Sequence, residues 1–213
     1  MNLLNDRLEY FGEKVNKSDY VLDSTAHKKG TKPQIIEVNG NVLAQRVLDA
    51  IIELKEKYNI GYNDICLVFP YEQYRFIRYY PKLWITQKFN ELGIPYSEIY
   101  GENKVGLMNT SGITITTIES SLGLDFKAVV LCGLKPLNWY WPIDAQSAYL
   151  IRNEDDIKRH NGAIVGINEN IRKFYTAASR AREKLYILND LGEECIVNDI
   201  IMNKDGESLY DRR

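Results

Sequence analysis

Short apolar runs alternate with helix-like patterns along the middle of the chain. Gln34 to Val38 reads as a strand, and the apolar positions that follow Asn41 recur at helical spacing, which predicts a helix capped by Asn41. Ile65 to Phe69 is a continuous apolar run of strand length. Because such runs are typical of strands buried on both faces, this one predicts a parallel sheet covered by helices.

The same alternation continues into the second half of the chain. Glu72 to Leu92 predicts a helix that ends or kinks at the turn before Pro81. Three further strands are predicted at Tyr96 to Tyr100, Ile113 to Thr117 and Ala128 to Leu131. A last helix and strand are predicted at about Glu169 to Glu183 and at Lys184 to Leu188. Repeats of strand, helix and strand predict right-handed crossovers and therefore an α/β fold with a mainly parallel sheet.

The chain has no internal repeat and no low-complexity linker, so a single domain over residues 1–213 is predicted. Residues 1–33 read as an N-terminal helix and loop. Residues 135–168 are predicted to be an irregular excursion outside the sheet. Its aromatic residues, Trp139 and Trp141 among them, serve either in packing or as a contact surface. Residues 190–213 read as an appended helix and charged tail.

Charge and composition narrow the possible functions. A net charge of −2 and a pI of about 5.8 give no overall basic field, so any contact with nucleic acid must come from a local patch. Widely spaced cysteines at 66, 132 and 195 and only two histidines favour buried thiols over a disulfide or a metal site. The sequence has no apolar stretch of ~20 residues and no signal peptide, so a cytoplasmic protein without a membrane partner is expected.

The turn that follows Ile113 to Thr117 is the first candidate site. In an open parallel sheet ligands bind beyond the carboxyl ends of the strands, where Thr117 to Asp125 is expected to lie. Gly123 allows close backbone approach, the hydroxyls of Thr117 and Ser120 can donate to phosphates, and Asp125 can accept from a sugar hydroxyl. The alternative is an ordinary connection between strands, in which Gly123 serves only the turn geometry.

Arg180 is the second candidate. It lies among small residues on the predicted last helix, which would let that helix pack tightly and leave one guanidinium aimed outward. A planar, permanently charged fork suits the stabilisation of charge on a transferring phosphoryl group. The alternative is a solvated basic face, because the same segment also carries Arg172, Lys173, Arg182 and Lys184.

Taken together, these two segments resemble motifs of a known family. Residues 113–134, ITITTIESSLGLDFKAVVLCGL, resemble motif V of the UvrD/Rep-type superfamily 1 DNA helicases, and residues 169–188, ENIRKFYTAASRAREKLYIL, resemble motif VI. The order of the motifs and their strand contexts also match. Weaker likeness at Ile65 to Phe69 and at Gly93 to Tyr96 extends the resemblance over roughly residues 34–189.

The resemblance implies a second RecA-like domain, a three-layer α/β fold with helices flanking the sheet. In the family this domain closes over ATP and Mg²⁺ held by the N-terminal RecA-like domain of the same protein, and it moves single-stranded or partly duplex DNA. Position by position, the nucleotide-facing residues are Gly123, Leu124, Asp125 and Arg180, with Arg180 as the catalytic arginine that reaches the γ-phosphate. The resemblance implies that Thr117 and Glu119 face DNA, and the neighbouring Ser120 is assigned to the same DNA contact.

Several positions depart from the family pattern. Glu119 replaces a histidine, Leu122 a lysine and Pro70 an arginine, whereas Ser179 for threonine is a mild change. An acid facing the DNA backbone would repel it. These departures favour an alternative function, a non-catalytic nucleic-acid or protein-interaction module with a degenerate helicase fold.

Two other motifs of ATP-dependent motors are missing from the sequence. It contains no G-x-x-x-x-G-K-[ST] and no apolar strand that ends in an Asp-Glu pair. We therefore expect a C-terminal piece of a larger helicase, which binds no cofactor and hydrolyses no ATP when isolated. A third alternative, an unrelated α/β enzyme, lacks any plausible pair of nucleophile and base.

Overall fold

A computed structural model describes residues 31–39, 42–70, 79–101, 111–138 and 173–191 of the chain. The chain divides into two compact units. One unit comprises Gly30–Pro136 and Lys173–Asp190 and contains all the elements below. The other comprises Met1–Lys29, Leu137–Arg172 and Leu191–Arg213. The predictions for the N-terminal helix, for the Trp139 to Trp141 segment, for Cys195 and for the appended helix lie outside the described residues.

Six strands form one parallel sheet in the order β1-β6-β5-β2-β4-β3. The strands are β1 (Gln34–Glu37), β2 (Ile65–Phe69), β3 (Tyr96–Ile99), β4 (Ile113–Thr117), β5 (Phe126–Leu131) and β6 (Ala181–Asn189). The predicted α/β class with a parallel sheet is confirmed. The last of the described strands in the sequence, β6, lies inside the sheet between β1 and β5.

Two helices, α1 (Leu43–Glu56) and α2 (Pro81–Leu92), cover one face of this sheet. The predicted cap at Asn41 is wrong, because the N-cap position is Val42, whose N–H donates to the carbonyl of Asn39. Pro81 was predicted to end or kink a helix, whereas it begins α2 at a position where its missing N–H is not needed. Residues 71–78 of that predicted helix lie outside the described part.

The central strands are buried on both faces, as the continuous apolar run of β2 predicts. On one face the core joins α1 and α2 to the strands through Leu43, Val47, Ile51, Leu54, Ile85, Phe89, Leu67, Phe69, Ile113, Ile115 and Val130. On the other face the alternate side chains, including Val68 and Val129, are also buried. Cys66 and Cys132 are free buried thiols, as expected, and burial raises the pKa of both.

The boundary between the last helix and the last strand differs from the prediction. Residues 173–178 form a short helix, α3, and residues 179–180 form a turn. The chain enters β6 at Ala181, which pairs with Phe126. The predicted helix to Glu183 is therefore wrong at its end, and Arg180 lies in the turn between α3 and β6 rather than on a helix face. Arg182 and Lys184 are strand residues.

Candidate functional site

Asp125 and Arg180 lie side by side at the amino-terminal ends of β5 and β6. These strands are parallel neighbours with Phe126 opposite Ala181, so the residues just before them are adjacent. The Phe126 N–H donates to the carbonyl of Arg180 at 3.0 Å. The Arg180 Nη1 atom lies 3.7 Å from Asp125 Oδ1. Two residues that the resemblance assigns to the nucleotide thus share one edge of the sheet.

That edge is opposite to the one predicted from the general rule for parallel sheets. Thr117 ends β4 at the carboxyl edge, as expected, but Asp125 precedes β5 at the amino edge. The expected carboxyl-edge position of Asp125 is therefore wrong. The physical reason is that β4 and β5 are parallel, so residues 118–125 must carry the chain back to the edge where β4 began.

The Arg180 guanidinium is oriented by hydrogen bonds to nearby residues of the same turn and helix. Nε donates to the carbonyl of Thr176 at 3.2 Å, and Nη2 donates to the hydroxyl of Ser179 at 3.0 Å. The side chain of Arg180 is 22% exposed, and that of Asp125 is 59% exposed. Arg180 is therefore an oriented cation next to an accessible carboxylate, and not one member of a freely solvated basic face.

Gly123 and Leu124 complete the turn that leads to Asp125. Gly123 has φ +80° and is exposed, and beyond its two chain neighbours no described residue lies within 4 Å of the position that a Cβ would take. Glycine is favoured here by the left-handed backbone and not by close packing. Leu124 is partly buried, and its N–H donates to the carbonyl of Ser121 at 3.0 Å.

Thr117 and Ser120, two of the predicted DNA-facing residues, are buried and bonded to each other. The Thr117 hydroxyl donates to Ser120 Oγ at 3.0 Å and accepts from the Ser120 N–H at 3.2 Å. Ser120 Oγ also accepts from the N–H of Gly101 at 2.9 Å. These bonds stabilise the turn after β4, and any ligand that takes the hydroxyl oxygens must compete with them.

Glu119, the third predicted DNA-facing residue, is exposed and has a cationic neighbour. Its side chain is 71% exposed, and Oε1 lies 3.6 Å from Nζ of Lys173, whose side chain is 14% exposed. Lys173 lies at the start of α3. The acid that would repel DNA is therefore partly balanced. Sequence reasoning missed this partner, since no pattern indicates an ion pair between residues so far apart in the chain.

The two ion pairs connect the two candidate segments at both ends. Glu119 and Lys173 meet at one end, and Asp125 and Arg180 meet at the other. Both segments run back towards the amino-terminal edge of the sheet before a parallel strand begins. Residues 118–125 and 173–180 therefore form one structural unit with charged contacts at each end.

A partly buried carboxyl group at the opposite edge was also missed. Asp190 follows β6, where Oδ2 accepts from the hydroxyl of Tyr79 and Oδ1 accepts from the N–H of Leu134 at 2.8 Å. Burial raises the pKa of Asp190 to about 7, against the opposing effect of the hydrogen bond from Leu134. Asp190 thus ties the end of β6 to the residues after β5 and before α2.

The described part of the chain contains neither a metal-binding cluster nor a membrane-spanning helix. No group of three or more histidine, cysteine, aspartate or glutamate side chains there is arranged to hold a metal ion. None of the helices in the same residues is long and apolar enough to cross a bilayer.

Comparison with known proteins identifies the family of the segment that carries the site. Residues 97–190 match the family model of the UvrD-like helicase C-terminal domain, which confirms the resemblance over that part of the chain. The matched residues run from β3 to the end of β6 and include both candidate segments. This part of the chain is a helicase-related domain. None of the curated proteins has a significantly similar sequence.

Two solved structures can be superposed on the chain at low sequence identity. The C-terminal domain of a possible DNA helicase from Lactobacillus plantarum WCFS1 is 13% identical, with a TM-score of 0.49 over 91% of this chain and 89% of its own. The C-terminal part of the Fun30 ATPase domain is 10% identical, with a TM-score of 0.39 over 74% of this chain and 43% of its own.

Proposed function

We propose that this chain is the second motor domain of an ATP-dependent DNA helicase or translocase. In this function Arg180 acts on ATP that a separate N-terminal RecA-like domain of the same protein holds together with Mg²⁺. One observation carries the proposal: Asp125 and Arg180 lie 3.7 Å apart at neighbouring strand ends, inside the segment that matches the helicase family.

The chemistry of the pair fits a nucleoside triphosphate. The exposed carboxylate of Asp125 can accept a hydrogen bond from a ribose hydroxyl, and the turn at Gly123 and Leu124 lies directly before it. The guanidinium of Arg180 carries a permanent charge that can balance the negative charge on a transferring γ-phosphoryl group. Because Thr176 and Ser179 already orient this guanidinium, little reorganisation is needed when the charge develops.

The proposed DNA contact lies at the other edge, around the turn that follows β4. Single-stranded or partly duplex DNA would pass the segment of Thr117, Glu119 and Ser120. The Glu119–Lys173 pair belongs to the same structural unit as the Asp125–Arg180 pair. A shift of either segment on DNA binding would therefore move the residues next to the nucleotide, which is the coupling that a translocase requires.

A second candidate is a non-catalytic nucleic-acid or protein-interaction module. It is favoured by the turn after β4, where Thr117 and Ser120 bond to each other and the exposed side chain, Glu119, is acidic. Affinity for single-stranded DNA that falls steeply with added salt would support the motor, because salt dependence reports phosphate contacts. Salt-independent binding to a protein partner would support the module.

The motor is tested by Arg180→Ala in the complete protein, which includes the domain that binds ATP. We expect kcat to fall by about 10³-fold or more, with ATP affinity little changed, because the contact is made mainly in the transition state. Arg182→Ala is the matched control, since Arg182 is an exposed arginine two residues further along β6. Equal turnover of Arg180→Ala and the wild-type protein would show that the proposed function is wrong.

A further inference from the structure

We infer that Ser179 is a positioning residue for Arg180, and that its hydroxyl holds the guanidinium short of direct hydrogen bonding with Asp125, so that it can bind a phosphate. The inference rests on the proposed function for its catalytic consequence, but the geometry is a property of this chain alone. Ser179 lies in the turn between α3 and β6, directly before the arginine.

Three hydrogen bonds connect Arg180, Ser179 and the carbonyl of Thr176 in a ring. The Ser179 hydroxyl donates to this carbonyl at 2.8 Å, and Arg180 Nε donates to the same oxygen at 3.2 Å. Arg180 Nη2 then donates to Ser179 Oγ at 3.0 Å. Rotation of the guanidinium away from this position would break two bonds at once, so the set fixes the plane of the group.

The polarity of the Ser179 hydroxyl makes it suited to this function. Its single proton is used on the Thr176 carbonyl, so its oxygen presents lone pairs to the guanidinium, which can only donate. Threonine would keep both bonds. Alanine would leave Nη2 without this acceptor and would leave only the Nε bond to hold the group.

Asp125 is the competing acceptor. Its Oδ1 lies 3.7 Å from Nη1 of Arg180, which is close enough for attraction but beyond hydrogen-bonding distance. Arginine and carboxylate groups pair readily through two parallel hydrogen bonds. Without the bond to Ser179, the guanidinium would rotate and hydrogen-bond to Asp125. The two residues proposed to contact ATP would then pair with each other and not with the nucleotide.

The orientation is tested first in the isolated chain, without ATP. The Nε–H signal of Arg180 in a ¹H–¹⁵N NMR spectrum is assigned by its loss in Arg180→Lys. We expect Ser179→Ala to shift or broaden this signal and Ser179→Thr to preserve it. Ser97→Ala is the matched control, because Ser97 is a partly buried serine whose hydroxyl also donates to a carbonyl, that of Ser111 at 3.3 Å. An unchanged Arg180 signal in Ser179→Ala would overturn the inference.

The catalytic consequence is tested in the complete motor protein. We expect Ser179→Ala to lower kcat about tenfold with KM for ATP nearly unchanged, and Ser179→Thr to restore it. Ser97→Ala should match the wild-type protein. A Ser179→Ala variant with reduced thermal stability but normal kcat would show a merely structural role and would refute positioning. If wild-type turnover does not depend on Arg180, the proposed function fails, and the NMR result alone decides the orientation.

Discussion

One partly buried carboxyl group, that of Asp190, should lower the stability of the chain as the pH rises from about 4 to about 7. Asp190 has its pKa raised from the ordinary value of 3.8 to about 7, mainly because burial disfavours the charged form. Between these two values the folded chain keeps a proton that the unfolded chain has already released. Its contribution to stability is therefore complete below about pH 4 and is lost as the pH rises through 7.

The size of the effect follows from the same two values. Each pH unit in this interval removes about 1.4 kcal/mol from the free energy of unfolding, so the full interval removes at most ~4 kcal/mol. The ionisable groups described around the carboxyl are Tyr79, which donates to it, and Lys135, whose Nζ lies 5.8 Å from the centre of the Tyr79 ring. Asp190 is the carboxyl group among these side chains, so the difference in slope between the wild-type protein and a variant without this carboxyl should report Asp190 itself.

The assay is urea unfolding of the isolated chain at about pH 5 and about pH 7.5, compared between the wild-type protein and Asp190→Asn. Asparagine keeps an acceptor for the N–H of Leu134 and can donate to the Tyr79 hydroxyl, but it does not titrate. As the pH rises, we expect the free energy of unfolding of Asp190→Asn to increase relative to that of the wild-type protein. Asp49→Asn, at an exposed ion pair with Arg46, is the control and should keep the wild-type slope. Parallel pH profiles of Asp190→Asn and the wild-type protein would refute the reasoning.

Two other substitutions test the turn between β4 and β5. Gly123→Ala should destabilise the chain by about 1–2 kcal/mol in thermal or urea unfolding, because alanine is strained at φ +80°, whereas Gly61→Ala, at φ −72° with free space for a Cβ, should be nearly neutral. Equal stabilities of the two variants would contradict the account of Gly123. Glu119→Gln should strengthen binding of single-stranded DNA a few-fold at low salt and lose the advantage at high salt. Glu91→Gln, at an exposed ion pair with Lys88 on α2, makes the same change in charge and should leave the affinity unchanged. An effect as large as that of Glu119→Gln would show that overall charge, and not a DNA contact at Glu119, sets the affinity.

The fold could be predicted from the sequence wherever local pattern and burial agree. Ile65 to Phe69 is wholly apolar because it is buried on both faces, and its predicted bounds are those of β2. The helix before β6 was predicted too long, since an alanine-rich segment favours helix locally. Pairing of Ala181 with Phe126 in the sheet overrides this preference. Local propensity contains no information about such a distant strand.

The residues of the candidate site could be proposed from the sequence, but their contacts could not. The two motifs identify Asp125 and Arg180 as members of one site, whereas the general rule for parallel sheets gives the wrong edge for Asp125. Long-range partners carry no local signal. Three features therefore required the three-dimensional arrangement: the anchoring of Arg180 on Thr176, the Glu119–Lys173 pair and the contacts of the partly buried Asp190.

The strand order has a consequence for synthesis on the ribosome. Among the described strands β1 pairs only with β6, which is made last yet fills an interior place in the sheet. Until residues 181–189 leave the exit tunnel, β1 has no neighbouring strand and β5 has an unpaired edge. Unpaired strand edges can pair with strands of other chains, which promotes aggregation. Arg180 immediately precedes this closing strand. The arginine proposed to act on ATP therefore reaches its position only when β6 joins the sheet, so a chain that stops before residues 181–189 would lack the positioned arginine.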